Sequence, residues 1–214
     1  MPGAVPTFRN KGRELLMIFA RNPEKGKVKT RLARTVGDAN ALRIYLELME
    51  HTARVVEPLD LDRVVHYSES PHSKDPLNRA YLSKKLQSEG GLGERMANAF
   101  LDAFSNGYER VVIIGTDCYE LTTRHLQDAF KALRYDQEVV IGPASDGGYY
   151  LLGLSRYIPS LFQDKSWGGS DVLLDTLVDL KQDGAAYHLL PTLNDVDEEE
   201  DLGELRGSIQ EDGE

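Results

Sequence analysis

The chain has 214 residues, 41% of them hydrophobic, and a formal net charge of −10. That length supports one good α/β core, and the acidic balance argues against nucleic acid or an anionic membrane as partner, since both need a basic surface. A single cysteine, Cys118, forbids an intramolecular disulfide and fits a reducing compartment. The longest apolar runs fall well short of the roughly 20 residues of a spanning helix, and residues 1–13 lack the apolar core of a signal peptide, so the expected location is the cytoplasm.

Strands and amphipathic helices alternate along the chain. LLMIFA (15–20) is a continuous apolar run, read as a strand buried on both faces. The basic loop RNPEKGKVKTRLART (21–35) follows, and a helix is expected from about Asp38, where Leu42, Tyr45, Leu46, Met49, Ala53 and Val56 recur at helical spacing until Pro58. DRVVHYS (62–68) reads as a strand and SPHSKDPLN (70–78) as a polar loop. GGLGERMANAFLDAF (90–104) opens on glycines and becomes helical, and RVVIIG (110–115) is a third buried strand. A helix capped by Thr122 or Thr123 carries Leu126, Phe130 and Leu133. EVVIG (138–142) and YYLLGL (149–154) are strands separated by a turn at Asp146. VLLDTLVDL (172–180) is helical, YHLL (187–190) is the last strand, and EEEDLGELR (198–206) is expected to close the fold as a helix. Residues 1–14 are expected to be flexible, 15–206 to form one domain, and 207–214 to be a disordered acidic tail. This order of elements predicts a three-layer α/β/α sandwich around a mostly parallel, mixed sheet, with Leu15–Ala20, Val111–Gly115 and Val139–Gly142 as neighbouring central strands.

Acidic turns stand where three strands end: Asp117 after VVIIG, Asp146 after VVIGPAS, and Asp195 with Asp197 after the last strand. Ligands of open α/β sheets bind at the carboxyl ends of strands. Carboxylates converging there suit Mg²⁺ or Mn²⁺, held by Asp117 and Asp197, with Asp195 as a competing ligand and Asn194 as a further oxygen donor. Opposite them, the basic loop offers Arg21, Lys29 and Arg31 as donors to a nucleotide's phosphates. It is not a Walker A loop. Gly147 and Gly148 either form a hairpin turn or let a ligand approach the backbone. Gly93 and Arg95, at a helix amino end, either hold an anion or sugar or shape a turn. Trp167 either stacks on a sugar or packs in the core. The five histidines, His51, His66, His72, His125 and His188, lack metal-ligand spacing, and Cys118 reads as a small buried hydrophobe.

The ordered set FARNPEKGKVKTRL, GGLGERM, IGTDCYEL, GPASDGGYYLLGL, the Trp167 segment and DVDEEEDL resembles small bacterial glycosyltransferase-like proteins of the nucleotide-diphospho-sugar transferase superfamily, which have the glycosyltransferase A-type fold. Some members are associated with arsenosugar biosynthesis, and the group is related to phospholactate guanylyltransferase and the molybdenum-cofactor nucleotidyltransferase. The resemblance spans about residues 15–206. It implies that Lys29 and Arg31 meet phosphates, that Asp117 and Asp197 hold the metal, and that the Asp146–Gly148 turn faces the sugar or acceptor. Two positions depart from the family pattern: Gly115 stands where the usual metal motif has its first aspartate, and Tyr119 where a proline is expected.

The function expected is metal-assisted transfer of a sugar from a nucleoside diphosphate sugar to a small acceptor, with Asp146 as base for the acceptor hydroxyl. Nucleotidyl transfer, releasing pyrophosphate, is the alternative, and a non-catalytic nucleotide-sugar binding protein is the second.

Overall fold

Strands covered on both faces need apolar side chains at every position, and the middle of this sheet is built from such runs. The computed structural model describes residues 13–71, 74–134 and 137–209. Among these residues, seven strands form one mixed sheet: β1 (Glu14–Ala20), β2 (Asp62–Tyr67), β3 (Ser83–Leu86), β4 (Arg110–Ile114), β5 (Val139–Pro143), β6 (Tyr149–Leu154) and β7 (Tyr187–Leu189). Their spatial order is β3-β2-β1-β4-β6-β5-β7. β6 runs antiparallel to β4 and β5, and the other pairings are parallel.

Alternate residues of the strands feed opposite faces. Leu16, Ile18, Val65, Val112, Ile114 and Val140 pack with Tyr45 and Met49 of helix α1 (Ala33–Val56) and with Phe130 of α3 (Thr123–Arg134). Leu15, Met17, Val111, Ile113, Val139 and Ile141 pack with Met96 and Phe100 of α2 (Leu92–Ser105) and with Leu180 of α4 (Val172–Asp183). The result is the expected three-layer α/β/α sandwich. A smaller cluster, Leu32, Ile44 and Leu48 with Val196, Leu202 and Leu205, docks the C-terminal segment against α1.

Four expectations are corrected. β1 and β4 are neighbours, but β5 is not beside β4: the Asp146 turn folds β6 back onto β5 as a hairpin, and it is β6 that also pairs with β4 and so stands between them. The polar strand β3, SKKL, was not expected; as a solvated edge it has no alternation to signal it. The closing segment is a 3₁₀ helix, Glu199–Ser208, broken at Gly203 with φ 47°, rather than an α-helix. The domain bounds also move. Glu14 is a buried strand residue whose carboxylate accepts from Arg110 Nε at 3.0 Å and Arg134 Nε at 2.7 Å. Ser208 bonds Glu47 through its hydroxyl at 2.6 Å, and Ile209 packs on the Leu32 cluster. Residues 1–12 of the expected N-terminal segment, residues 210–214 of the tail, and His72 lie outside the described residues. Among the described residues no helix is long and apolar enough to cross a membrane.

His66, on β2, is 5% exposed and packs against Phe19 with ring centroids 5.3 Å apart. Burial, reinforced by Lys85 and opposed by Asp102, pushes its pKa down from 6.5 to about 4. The native state therefore refuses a proton that the unfolded chain accepts between those two values, so stability should rise with pH across that window. Between pH 7.5 and pH 5 the wild-type protein should lose about 2 kcal/mol more than a His66→Gln variant. Urea unfolding at both pH values measures this; equal losses in the two proteins would remove His66 as the cause.

Candidate functional site

The parallel strands β1, β2, β3, β4 and β5 all end on the same edge, and the loops that follow them gather there. The basic loop after β1 is pinned from two sides. The Tyr45 hydroxyl, projecting from α1, accepts from Arg21 N at 2.9 Å and donates to Arg21 O at 3.0 Å. Thr116, just past β4, donates to the same hydroxyl at 3.3 Å, so one phenol ties the ends of β1 and β4 together. Burial, then the nearby Asp117 charge, raises the Tyr45 pKa and keeps the phenol neutral. Asn22, also buried, accepts from Glu69 N at 3.0 Å and donates to Ser70 O at 2.9 Å, which fastens the loop to the end of β2.

Lys29 lies at the centre. Its Nζ is 2.5 Å from Asp117 Oδ1 and 3.2 Å from Asp197 Oδ1, and its side chain is 5% exposed. Arg31 Nη2 holds Asp197 Oδ2 at 2.6 Å from a position 58% exposed. Burial works against the Lys29 charge, but Asp117 and Asp197 outweigh it and leave its pKa above the usual lysine value. Because both carboxylates touch one ammonium, residues about 80 positions apart in the chain meet at Lys29. The backbone supports the approach: Val196 N–H donates to Asp117 O at 2.9 Å, and Asp201 accepts from Asp197 N at 3.0 Å and Glu198 N at 2.8 Å.

Asp195 is half-buried beside this group. Burial and then Asp117, with Asp146 and Asp197, push its carboxyl up to about 7 against the opposing charge of Lys29. Asp146 therefore belongs to the same electrostatic neighbourhood. Its Oδ1 accepts from Gly148 N at 2.9 Å, which fixes the carboxylate at the tip of the β5–β6 turn. The paired glycines have a structural reason. Gly147 adopts φ 92°, and a Cβ there would lie 1.9 Å from Ser170 O. The same turn anchors α4, since Leu173 N donates to Gly147 O at 2.9 Å.

Gly93 and Trp167 form a second group along this edge. A Cβ at Gly93 would lie 2.2 Å from Trp167 Nε1, so the glycine makes room for the indole. Trp167 is half-buried and meets Tyr149 edge-on at 6.4 Å, which brings it next to the Gly147–Gly148 turn. Arg95 donates to Gly90 O at 2.8 Å and Gln87 Oε1 at 3.3 Å, while Gln87 Nε2 donates to His66 O at 2.9 Å. Arg95 thus braces the loop before α2, and Glu94 caps that helix by accepting from Gly91 N at 2.8 Å. Cys118 is buried, and desolvation pushes its thiol up to about 12, consistent with a small hydrophobe.

Among the described residues no cluster of three or more His, Cys, Asp or Glu side chains is arranged to hold a metal ion. Asp117 and Asp197 nevertheless fit a hard cation that takes one or two carboxylates and completes its shell with water and phosphate oxygens. The two oxygens that share Lys29 lie closer together than about 8 Å, the separation beyond which both could not reach one ion. A separate polar cleft of about 240 Å³, lined by Arg13, His66, Lys85, Asp102 and Tyr108 among others, lies under α2. None of the residues expected for the site lines it, and its charges pair internally, with Lys85 Nζ 2.7 Å from Asp102 Oδ2. Tyr45, Thr116 and Asn22 were not anticipated as site residues. The phenol sits inside an ordinary helical stripe, and the other two are short polar residues after strands.

An α/β/α sandwich whose charged loops share the carboxyl edge of a mixed sheet has the fold of nucleotide-diphospho-sugar transferases. Residues 52–169 match the model of the family described as "Uncharacterized protein conserved in bacteria (DUF2064)", and the chain belongs to that family. It is similar, at 32% identity and a TM-score of 0.82, to the crystal structure of a protein from Desulfovibrio desulfuricans G20 provisionally assigned as a nucleotide-diphospho-sugar transferase; the match covers 90% of this chain and 85% of that one. Its fold is also similar to 4-diphosphocytidyl-2C-methyl-D-erythritol synthase from Anaerococcus prevotii DSM 20548, at 11% identity and a TM-score of 0.60, over 94% of this chain and 100% of the other. The inositol-1-phosphate CTP transferase from T. maritima shows a comparable likeness, at 14% identity and a TM-score of 0.58, over 95% and 98%. Among curated proteins, none matches the sequence.

Gly147→Ala tests the structural role of the turn. Left-handed backbone and the collision with Ser170 O should together cost about 2–4 kcal/mol, lowering the melting temperature by several degrees. An unchanged melting temperature would show that the turn and α4 are not locked together as described.

Proposed function

We propose that the protein is a metal-assisted transferase acting on a nucleoside diphosphate sugar and passing the sugar to a small acceptor. The observation that carries this reading is the convergence of Lys29 and Arg31 with Asp117 and Asp197 at the carboxyl edge of the sheet. Lys29 and Arg31 supply charge-assisted donors for the diphosphate, and their contribution grows as negative charge develops on the leaving group. Asp117 and Asp197 would hold Mg²⁺ or Mn²⁺, which supplies Lewis-acid stabilisation of phosphate oxygens when bound. Arg21, exposed at the start of the same loop, adds a further cation on the phosphate side. Asp146, oriented by Gly148 N–H, would accept the proton of an acceptor hydroxyl. Gly93, Arg95, Gly147, Gly148 and Trp167 border the acceptor side. The likeness to the Desulfovibrio desulfuricans G20 protein supports a nucleotide-sugar substrate, and the motif resemblance to arsenosugar-associated members favours a small acceptor.

Nucleotidyl transfer is the second reading, and Gly115 favours it. A glycine at that position removes one carboxylate from the usual glycosyltransferase metal motif, while a loop with six cations between Arg21 and Arg34 suits the larger charge of a triphosphate. In that case pyrophosphate leaves, and the same Lys29 and Arg31 stabilise it.

Incubation with Mn²⁺ and a panel of nucleotide sugars or triphosphates separates the readings by product. Nucleoside diphosphate release is expected; pyrophosphate release would select the second reading. Neither product, with nucleotide binding retained, would make the protein a binding module. A Lys29→Ala/Arg31→Ala variant should bind nucleotide at least about 100-fold more weakly, since each charge-assisted hydrogen bond contributes about 1.5–3 kcal/mol. Thermal-shift titration measures it; parental affinity in the double variant would reduce the basic loop to surface.

A further inference from the structure

Lys29 occupies the space between the two carboxylates assigned to the cation. Its ammonium touches Asp117 Oδ1 at 2.5 Å and Asp197 Oδ1 at 3.2 Å, with a side chain only 5% exposed. A divalent ion on the same carboxylates would face that ammonium at close range, and like charges there repel. Release of Lys29 alone is also unfavourable, because it leaves a buried cation without a partner. Arg31 has no such constraint: it is 58% exposed and can leave Asp197 for water.

The backbone at Lys29 restricts where its ammonium can go. Its φ is 47°, and among the described residues only Asp164 shares a positive φ outside glycine. Such strain persists only where the surroundings over-determine it. Here Ala33 N–H donates to Lys29 O at 2.8 Å and the paired carboxylates hold the other end. From this fixed backbone the flexible four-carbon side chain can swing the ammonium toward Arg31, which holds the other oxygen of Asp197.

We propose that Lys29 is an exchange latch: it bridges Asp117 and Asp197 in the ligand-free protein and yields them to the divalent cation when a diphosphate takes its ammonium. This inference rests on the phosphate-site reading given above. Cation and nucleotide then bind with positive coupling, and the coupling is reciprocal. No covalent step is involved; one ammonium exchanges carboxylate for phosphate partners, and the carboxylates exchange an ammonium for a metal ion.

Mn²⁺ titration of the nucleotide-free wild-type protein and of Lys29→Met, by calorimetry or by the electron paramagnetic resonance of free Mn²⁺, tests the latch. Removing the competing ammonium should tighten Mn²⁺ binding by about tenfold or more, within the roughly 5–150-fold range of ordinary binding couplings. In the same variant, the gain in Mn²⁺ affinity on adding nucleoside diphosphate should shrink. Unchanged or weaker Mn²⁺ binding by folded Lys29→Met overturns the latch. Amine acetylation of the wild-type protein, mapped by peptide mass spectrometry, provides a readout that needs no variant. Lys29 should be protected in the free protein, labelled at saturating Mn²⁺ alone, and protected again with Mn²⁺ and nucleoside diphosphate together. Labelling that ignores Mn²⁺ overturns the proposal. A wild-type protein that binds Mn²⁺ but no nucleotide sinks the proposed function and the phosphate half of the latch together, whereas a flat Mn²⁺ comparison sinks the latch and leaves the function standing.

Discussion

Lys29 carries a full charge on a side chain that is itself only 5% exposed, and it stays there because the more exposed carboxylates of Asp117 and Asp197 receive it. An unpaired ammonium at that depth would cost several kcal/mol, more than a flexible loop can absorb, so the ion pairs fix the loop as much as the loop fixes the lysine. Their formation requires the end of β1, the end of β4 and the segment after β7 to meet at one point. The sheet order supplies that meeting: β1 and β4 are adjacent, and the chain after β7 returns along the carboxyl edge to pair Val196 N with Asp117 O. Tyr45 completes the constraint by bonding the backbone at Arg21 and the hydroxyl of Thr116 at once.

The electrostatics of the edge are unbalanced in one direction. Asp117, Asp146, Asp195 and Asp197 share the neighbourhood with Lys29 and Arg31; burial first, and then the neighbouring carboxylates against the opposing charge of Lys29, raise Asp195 to about 7. On the proposed reading, the excess of carboxylates around one buried cation is what would let a second cation arrive with an anionic ligand. Neither partner alone balances it: a metal ion alone displaces Lys29 into an unpaired state, and a diphosphate alone adds charge of the sign already in excess. This is the physical basis of the proposal that cation and nucleotide bind together.

Much of this was legible in the sequence, for reasons that differ by element. β1, β4 and β5 announce themselves because strands buried on both faces have no polar positions. Lys29, Arg31, Asp117 and Asp197 could be singled out because they lie in the loops that follow strands β1, β4 and β7. The insertion of β6 between β4 and β5 was not legible: two apolar strands joined by an Asp-Gly turn pair with each other, but nothing in their side chains says which also borders β4. β3 escaped because a solvated edge strand carries no hydrophobic period. Tyr45 could be placed on the buried stripe of α1, yet its hydroxyl contacts depend on the end of β1 and on Thr116 in the loop after β4, outside its own helix. Gly147 was half-read; a turn was among the expectations for it, but its collision partner, Ser170 O, lies in a distant segment.

The most direct measurement is a crystal structure with Mn²⁺ and a nucleoside diphosphate, with the metal located by its anomalous scattering. The account predicts an anomalous peak between Asp117 and Asp197, with the phosphates contacting Lys29 and Arg31 and the Lys29 ammonium withdrawn from both carboxylates. A nucleotide bound elsewhere, such as the polar cleft under α2 beside His66 and Lys85, with Lys29 still bridging Asp117 and Asp197, would contradict it.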